Sequence, residues 1–255
     1  TLDNPSTRQD AMSRLAHRIK AASIAGDRLL LGFDFPFGYP AGLARSIAKD
    51  GDWRTIWNWI ATHIEDGPAN ANYRFDVAAE LNGYFETDGP FWGNGLKRDI
   101  PGLPRKKPKG WGETLPANLR ACDAGAKAAQ EVWKLSGVGS VGGQALMGIA
   151  ALEQLRQETE AQIWPFEILG EGARHVIAEV FPSLVPMHFP PDRVRDAVQV
   201  ETLARALARL DAAGYLADLL AAPSATGQDV RRHEGSILGL DHQTLLAKAC
   251  ADDTL

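Results

Sequence analysis

Residues 28–40 read RLLLGFDFPFGYP. The stretch from Leu29 to Phe33 is apolar at successive positions and does not alternate, which is the pattern of a strand covered on both faces of its sheet. Pro36 has no N–H to continue a ladder, so the strand stops there, and Asp34 stands where it runs out. This places a carboxylate at the carboxyl end of a central strand, the edge at which open α/β sheets bind ligands. Asp34 would also serve to cap the following turn, but apolar flanks make an idle carboxylate costly to bury.

On the amino-terminal side, Met12, Leu15, Ala16, Ile19 and Ala22 recur at helical spacing between the candidate cap Ser6 and Gly26, predicting a helix over 7–25. On the other side, Trp53, Ile56, Trp57 and Ile60 predict a helix over 52–64, with a further one over 73–85. Residues 86–117 hold six Gly and five Pro with a run of Lys and Arg. That is a loop of a length compact domains reserve for something functional or mobile. Beyond it, residues 131–135 read as a strand, SGVGSVGG as a turn, and 144–156 as a helix with Ala145, Ile149, Leu152 and Leu155 toward the core. Strands are expected over 163–167 and 175–181, and a long helix over 192–210, with Gly214 interrupting before 215–220. Alternating strands and helices favour a sheet with helices on its faces.

At 255 residues, with 45% hydrophobic and 23% charged residues, one domain over 1–255 with a sizeable core is expected. The apolar runs fall far short of the roughly 20 residues of a membrane helix. A net charge of -5 argues against coating nucleic acid by bulk attraction, while leaving room for a local basic patch. Cys122 and Cys250 make neither a disulfide framework nor a zinc spacing, so a reducing, cytoplasmic setting is expected.

Several constellations could carry chemistry. AEVFPSL (178–184) repeats the grammar of apolar strand, acid and proline through Glu179 and Pro182. Two such strands can bring Asp34 and Glu179 together at one sheet edge, and paired carboxylates suit Mg²⁺ or Mn²⁺, hard ions that assist phosphoryl transfer. Glu179 equally suits a structural ion pair, with Arg120 or Arg195 as candidates. In NLRACD (118–123), Arg120 and Asp123 share a helix face, a spacing usually worth only a surface salt bridge. Asp196 sits near the start of the late helix, where the dipole alone favours an acid. The glycines of SGVGSVGGQ (136–144) open a helix whose amides could cradle a phosphate, though a tight turn explains them as well. Lys97, Arg98, Arg105, Lys106, Lys107 and Lys109, with Trp111 close by, could hold phosphates and stack a base, or form a solvated charge run. No HExxH or GxSxG occurs, and the six histidines are scattered.

The ordered set GFDFPFG, RACD, WKLSGVGSVGGQALMGI, IWPFE, AEVFPS, RDAVQ and HEGSILG, over about residues 30–240, resembles the DUF429 proteins, predicted nucleases of RNase H-like fold. The resemblance implies an RNase H-like mixed sheet flanked by helices. It also implies that Asp34 and Glu179 are strand-end acids, that Asp196 is the acid on a late helix, and that Arg120 and Asp123 form the family's Arg-x-x-Asp element. Asp34, Glu179 and Asp196 would then ligate Mg²⁺ or Mn²⁺. RNase H-like folds begin with three antiparallel strands, the first bearing a metal-site acid, whereas this chain starts at the helix that would follow them. The resemblance therefore implies a fragment without the first strands, weak in metal binding and in turnover. Three functions follow: a metal-dependent nuclease or phosphodiesterase acting on nucleic acid, a phosphotransferase or phosphohydrolase acting on a phosphorylated small molecule, and a non-catalytic binding protein.

Overall fold

The computed structural model describes residues 2–170, 172–223 and 228–251. Helix α1 (Arg8–Ala25) is capped by the Thr7 hydroxyl, which accepts from the Asp10 amide, one residue later than Ser6, and Gly26 ends it at positive φ. It leads into β1 (Leu29–Phe33). Helices α2 (Leu43–Ile47) and α3 (Trp53–His63) follow, the latter opened by a capping box of Asp52 and Thr55. Next come α4 (Arg74–Asn82), α5 (Ala121–Gly125) and α6 (Gly142–Glu158). Strands β2 (Gln162–Trp164) and β3 (His175–Glu179) complete the sheet, and α7 (Arg195–Ala212), α8 (Leu216–Leu219), α9 (Gln228–His233) and α10 (Gln243–Ala251) follow.

The protein is α/β. Its sheet has the order β1-β3-β2 with both pairings parallel, so the expected mixed sheet is not found among the described residues. Alternation sends the two faces of each strand into two cores. Leu29, Leu31, Phe33, Ile163 and Ile177 pack with α1, α3 and α6, around Ile19, Trp53, Trp57 and Ile149. Leu30, Trp164, Val176 and Ala178 pack with α7 and α10, around Leu203, Ala206, Leu210 and Leu246. β3 lies between its neighbours, buried at every residue, and its middle, Val176–Ala178, is continuously apolar for that reason, with His175 and Glu179 buried at its ends. The strand read as central and buried on both faces, β1, is instead an edge strand, paired with β3 alone among the described residues and only part-buried; the central place belongs to β3. β2 ends at Trp164 because Pro165 has no amide to offer, which shortens the strand expected over 163–167.

Two expectations along the middle of the chain need correction. Residues 131–135 form no strand; a single bridge joins Trp92 to Lys134. Val132, Trp133 and Leu135 are instead all buried, a strap crossing the core whose apolar run reflects burial without a ladder. Residues 86–117 are irregular, as their glycines and prolines dictate, but they are not a loose loop. Phe91, Ile100, Leu103 and Leu115 are buried. Asn82, at the end of α4, donates to the carbonyls of Phe91 and Gly102 and accepts from the Phe91 amide, pinning the segment from inside.

Candidate active site at the carboxyl edge of the sheet

Phe33 of β1 pairs in register with Glu179 of β3, so the two strands end level and Asp34 follows at the same edge. The edge brings Asp34 and Glu179 near one another in the fold but gives them different surroundings. Glu179 shares the face of Ile177, toward α6, and is buried. Asp34 is solvent-accessible, and packing around it, with the charge of Asp196 in the first turn of α7, raises its pKa. Protein matter removes water from the charged form, and a like charge opposes a second one.

Glu179 is held by Arg120. Nη1 of the guanidinium lies 2.7 Å from Oε2 and Nη2 lies 2.6 Å from Oε1, while the Phe37 amide donates to Oε2 at 2.9 Å. Arg120 also grips Asp123, with Nε to Oδ2 at 3.0 Å and Nη2 to Oδ1 at 2.8 Å, and Asp123 accepts from the Arg120 amide at 3.1 Å. The pair expected to be a surface salt bridge is therefore internal, with side chains 1% and 2% exposed. Arg120 is the residue before α5 rather than a member of it, and its contact with Asp123 closes that helix's first turn. Arg195, the other partner considered for Glu179, lies over the Phe189 ring instead.

A third acid, Glu234, completes the cluster. Its Oε1 accepts from the Ala41 amide at 3.0 Å and its Oε2 from the Ala121 amide at 2.7 Å, and its carbonyl takes Nη1 of Arg120 at 3.3 Å. Gly38 makes this possible, because a Cβ there would sit 2.6 Å from the carbonyl oxygens of His233 and Glu234. Burial pushes the Glu179 pKa up, against the pull of Arg120. Glu234 lies inside the motif HEGSILG, yet one acid in a loop carries no sign that it will be buried.

Among the described residues no group of three or more His, Cys, Asp or Glu is placed to hold a metal ion. The three-acid set of Asp34, Glu179 and Asp196 is divided: Glu179 has both oxygens occupied by a guanidinium and an amide, and does not fit a metal. Asp34 and Asp196 are both exposed, and the charge of Asp196 reaches Asp34.

The basic run divides too. Arg98 pairs with Asp76 at 2.6 Å, Arg105 with Asp99 at 2.8 Å and Lys107 with Glu131 at 2.6 Å. Arg105 also donates to four carbonyls, from Asn94 to Arg98, so it works as a clasp for its own loop. Lys97, Lys106 and Lys109 are exposed. Trp111 is part-buried, packs beside Trp133 at 6.2 Å and donates to the Pro108 carbonyl.

A cavity of about 570 Å³ opens beside this edge, lined by Phe35, Arg8, Arg74 and the first turn of α6. Phe35 directly follows Asp34, and Gly148 leaves room for its ring, since a Cβ there would lie 2.3 Å from it. Sequence gives no hint of this juxtaposition, as Arg8, Arg74 and Gly143 come from three separate segments. A larger groove of about 890 Å³ runs between α1 and α6 and reaches Ser23, which bonds to His175 at the opposite, amino end of β3.

No family model matches this chain, and no curated protein or solved structure is significantly similar to it. No described helix is long and apolar enough to cross a membrane.

Proposed function

We propose that the protein is a phosphoester-processing enzyme acting on a phosphorylated small molecule, with Asp34 and Asp196 as its reactive carboxylates. The observation that carries this reading is the raised pKa of Asp34 at the carboxyl edge of a parallel sheet, caused first by burial and then by Asp196. A carboxyl held above its ordinary range, in reach of solvent, is better suited to exchanging a proton than an ordinary aspartate. Asp34 takes a proton from an attacking water, the water oxygen bonds to phosphorus, and the bond to the leaving alcohol breaks. The alcohol oxygen then receives the proton Asp34 removed. Asp196, exposed in the first turn of α7, keeps Asp34 basic by its charge. A Mg²⁺ or Mn²⁺ ion held by Asp196 and otherwise by water would supply Lewis-acid stabilisation of the phosphoryl oxygens and leave Asp34 free for the proton.

A nuclease of the RNase H-like kind is the second reading. It is favoured by the motif resemblance and by Lys97, Lys106 and Lys109, which are exposed on one loop. Against it stand the engagement of Glu179 by Arg120 and the neutralisation of half of the basic run.

The test is hydrolysis of p-nitrophenyl phosphate and of single-stranded and duplex oligonucleotides with Mn²⁺, using the wild type, Asp34→Asn and Asp196→Asn. General acid–base roles contribute about 10²- to 10⁴-fold, so a loss of that size in Asp34→Asn on the small ester is expected. Equal rates in wild type and Asp34→Asn, or cleavage of oligonucleotides alone, would overturn the proposal.

A further inference from the structure

The cavity at the start of α6 has an unusual charge arrangement. Arg74 is half-buried, and its Nη1 donates to Oδ1 of Asn72 at 2.9 Å, while its guanidinium carbon lies 4.7 Å from the centre of the Phe75 ring. No carboxylate is paired with it among the described residues, unlike Arg8 alongside, whose Nε and Nη2 meet Asp66 at 2.8 and 2.9 Å. Burial, followed by the charge of Arg8, lowers the Arg74 pKa. The side chain lies across Gly143, where a Cβ would come within 3.0 Å of Nε and 3.3 Å of Cδ. Arg74 is thus laid directly over the first turn of a 17-residue helix that no side chain caps. The amides of Gly143 and Gln144 have no acceptor among the described residues.

Each of these features carries positive charge. A helix start bears roughly half a unit of positive charge, so a cation placed there is repelled. A second guanidinium nearby adds to the repulsion. An anion on Arg74 and the two amides removes both penalties at once, and a guanidinium with free amides matches the oxygens of a phosphate group.

We propose that this cavity binds the phosphate group of a small phosphomonoester, with Arg74 and the amides of Gly143 and Gln144 as the contacts to its oxygens. The rest of the lining is mixed, with Phe35, Leu135 and Met147 beside Asn70, Asn72 and Ser140, so the body of the ligand has both an aromatic ring and polar side chains to meet, and Phe35 offers the ring. A volume of about 570 Å³ is that of a small-molecule site. Phosphate binding stands on this geometry alone; that the bound phosphomonoester is also the substrate rests on the reading of Asp34 and Asp196 given above.

The experiment is calorimetric titration with inorganic phosphate, phenyl phosphate and a single-stranded oligonucleotide, with sodium chloride of matched ionic strength as control. The proteins are the wild type, Arg74→Gln, Gly143→Ala and Asp34→Asn. Phosphate should bind where chloride does not, and phenyl phosphate should bind more tightly than phosphate. Arg74→Gln should weaken both by roughly tenfold or more, the effect of losing a charged hydrogen-bond donor. Gly143→Ala should weaken both by pushing Arg74 off the helix start. On the wild-type protein, phosphate should also shield Arg74 from an arginine-selective dicarbonyl reagent, a readout that needs no variant to fold. Phosphate acting no differently from chloride, undiminished binding in Arg74→Gln, or no shielding would overturn the site. Binding of the oligonucleotide far above that of phenyl phosphate, with a steep salt dependence, would overturn the ligand class. Binding that persists in Asp34→Asn supports the site even where no ester is hydrolysed, a result that would sink only the catalytic reading.

Discussion

Arg120 meets Glu179 with both terminal nitrogens, 2.7 and 2.6 Å from the two carboxylate oxygens, joining the start of α5 to the end of β3 across 59 residues of chain. The same guanidinium holds Asp123, so one cation serves two internal acids. Replacing Arg120 by Leu leaves both acids inside without a counter-charge. The expected cost is about 3–5 kcal/mol, measured by urea unfolding. A loss under about 1 kcal/mol would mean the acids find other partners or water. Glu179→Gln, by contrast, should leave Mn²⁺ affinity unchanged, since Glu179 is not placed to bind the ion.

Asp34 supplies a pH signature. Its carboxyl pKa in the folded chain lies above the unfolded value of about 3.9, so the folded state binds the proton more tightly. The resulting penalty is absent below about pH 4 and complete once the pH has passed the folded pKa. Asp34→Asn should therefore stabilise the protein at pH 7 by something below about 1 kcal/mol, because solvent reaches the side chain, and the gain should vanish at pH 3.5. Thermal unfolding at the two pH values checks this. A gain that is larger at low pH contradicts the assigned cause.

Gly148 is the position in α6 where the site and the core press on each other. An alanine methyl there would collide with the Phe35 ring at 2.3 Å. Gly148→Ala should cost about 1–3 kcal/mol by overpacking and should also move Phe35 into the cavity, weakening phenyl phosphate more than inorganic phosphate. Equal weakening of the two ligands would show that Phe35 is not part of the binding wall.

The three exposed lysines separate surface charge from function. Replacing Lys97, Lys106 and Lys109 together by Ala should change stability by no more than about 0.5 kcal/mol. Any binding of single-stranded DNA that depends on them should lose salt dependence, by about 0.7 in the logarithmic slope for each phosphate contact removed. An unchanged slope removes these lysines from any nucleic-acid role.

The strands with the strongest apolar runs were legible in the sequence: Leu29–Phe33 and His175–Glu179 stand where residues 28–33 and 175–181 suggested, although only the second is buried throughout and the first is a part-buried edge. Glu131–Leu135 carried the same pattern and misled, since a strap through the core also buries successive side chains. Hydrophobicity reports removal from water, and a ladder of hydrogen bonds is a separate matter. α10 went unforeseen behind the motif HEGSILG, although Leu246 and Ala249 bury against α7. At the candidate site, the level ends of β1 and β3 were readable from the repeated grammar of strand, acid and proline. Which acid would be claimed by Arg120 was not, because that depends on where residues 118–123 cross the sheet edge. The cavity was least legible of all, as neither Arg8 nor Arg74 is marked by its neighbours in sequence.

The cluster around Arg120 also bears on the order in which the chain folds. Its bonds link Glu179 to Phe37 over 142 residues, Arg120 to Glu234 over 114 and Ala41 to Glu234 over 193. Each closes a long loop, and the entropy of closure must be met before the bond returns anything. During synthesis the guanidinium of Arg120 can find Asp123 at once and Glu179 later, but Ala41 and Ala121 wait for Glu234 to leave the ribosome. The segment around Glu234 therefore acts as a latch on the carboxyl edge, tying Ala41, Arg120 and Ala121 to a residue more than 110 positions further along the chain.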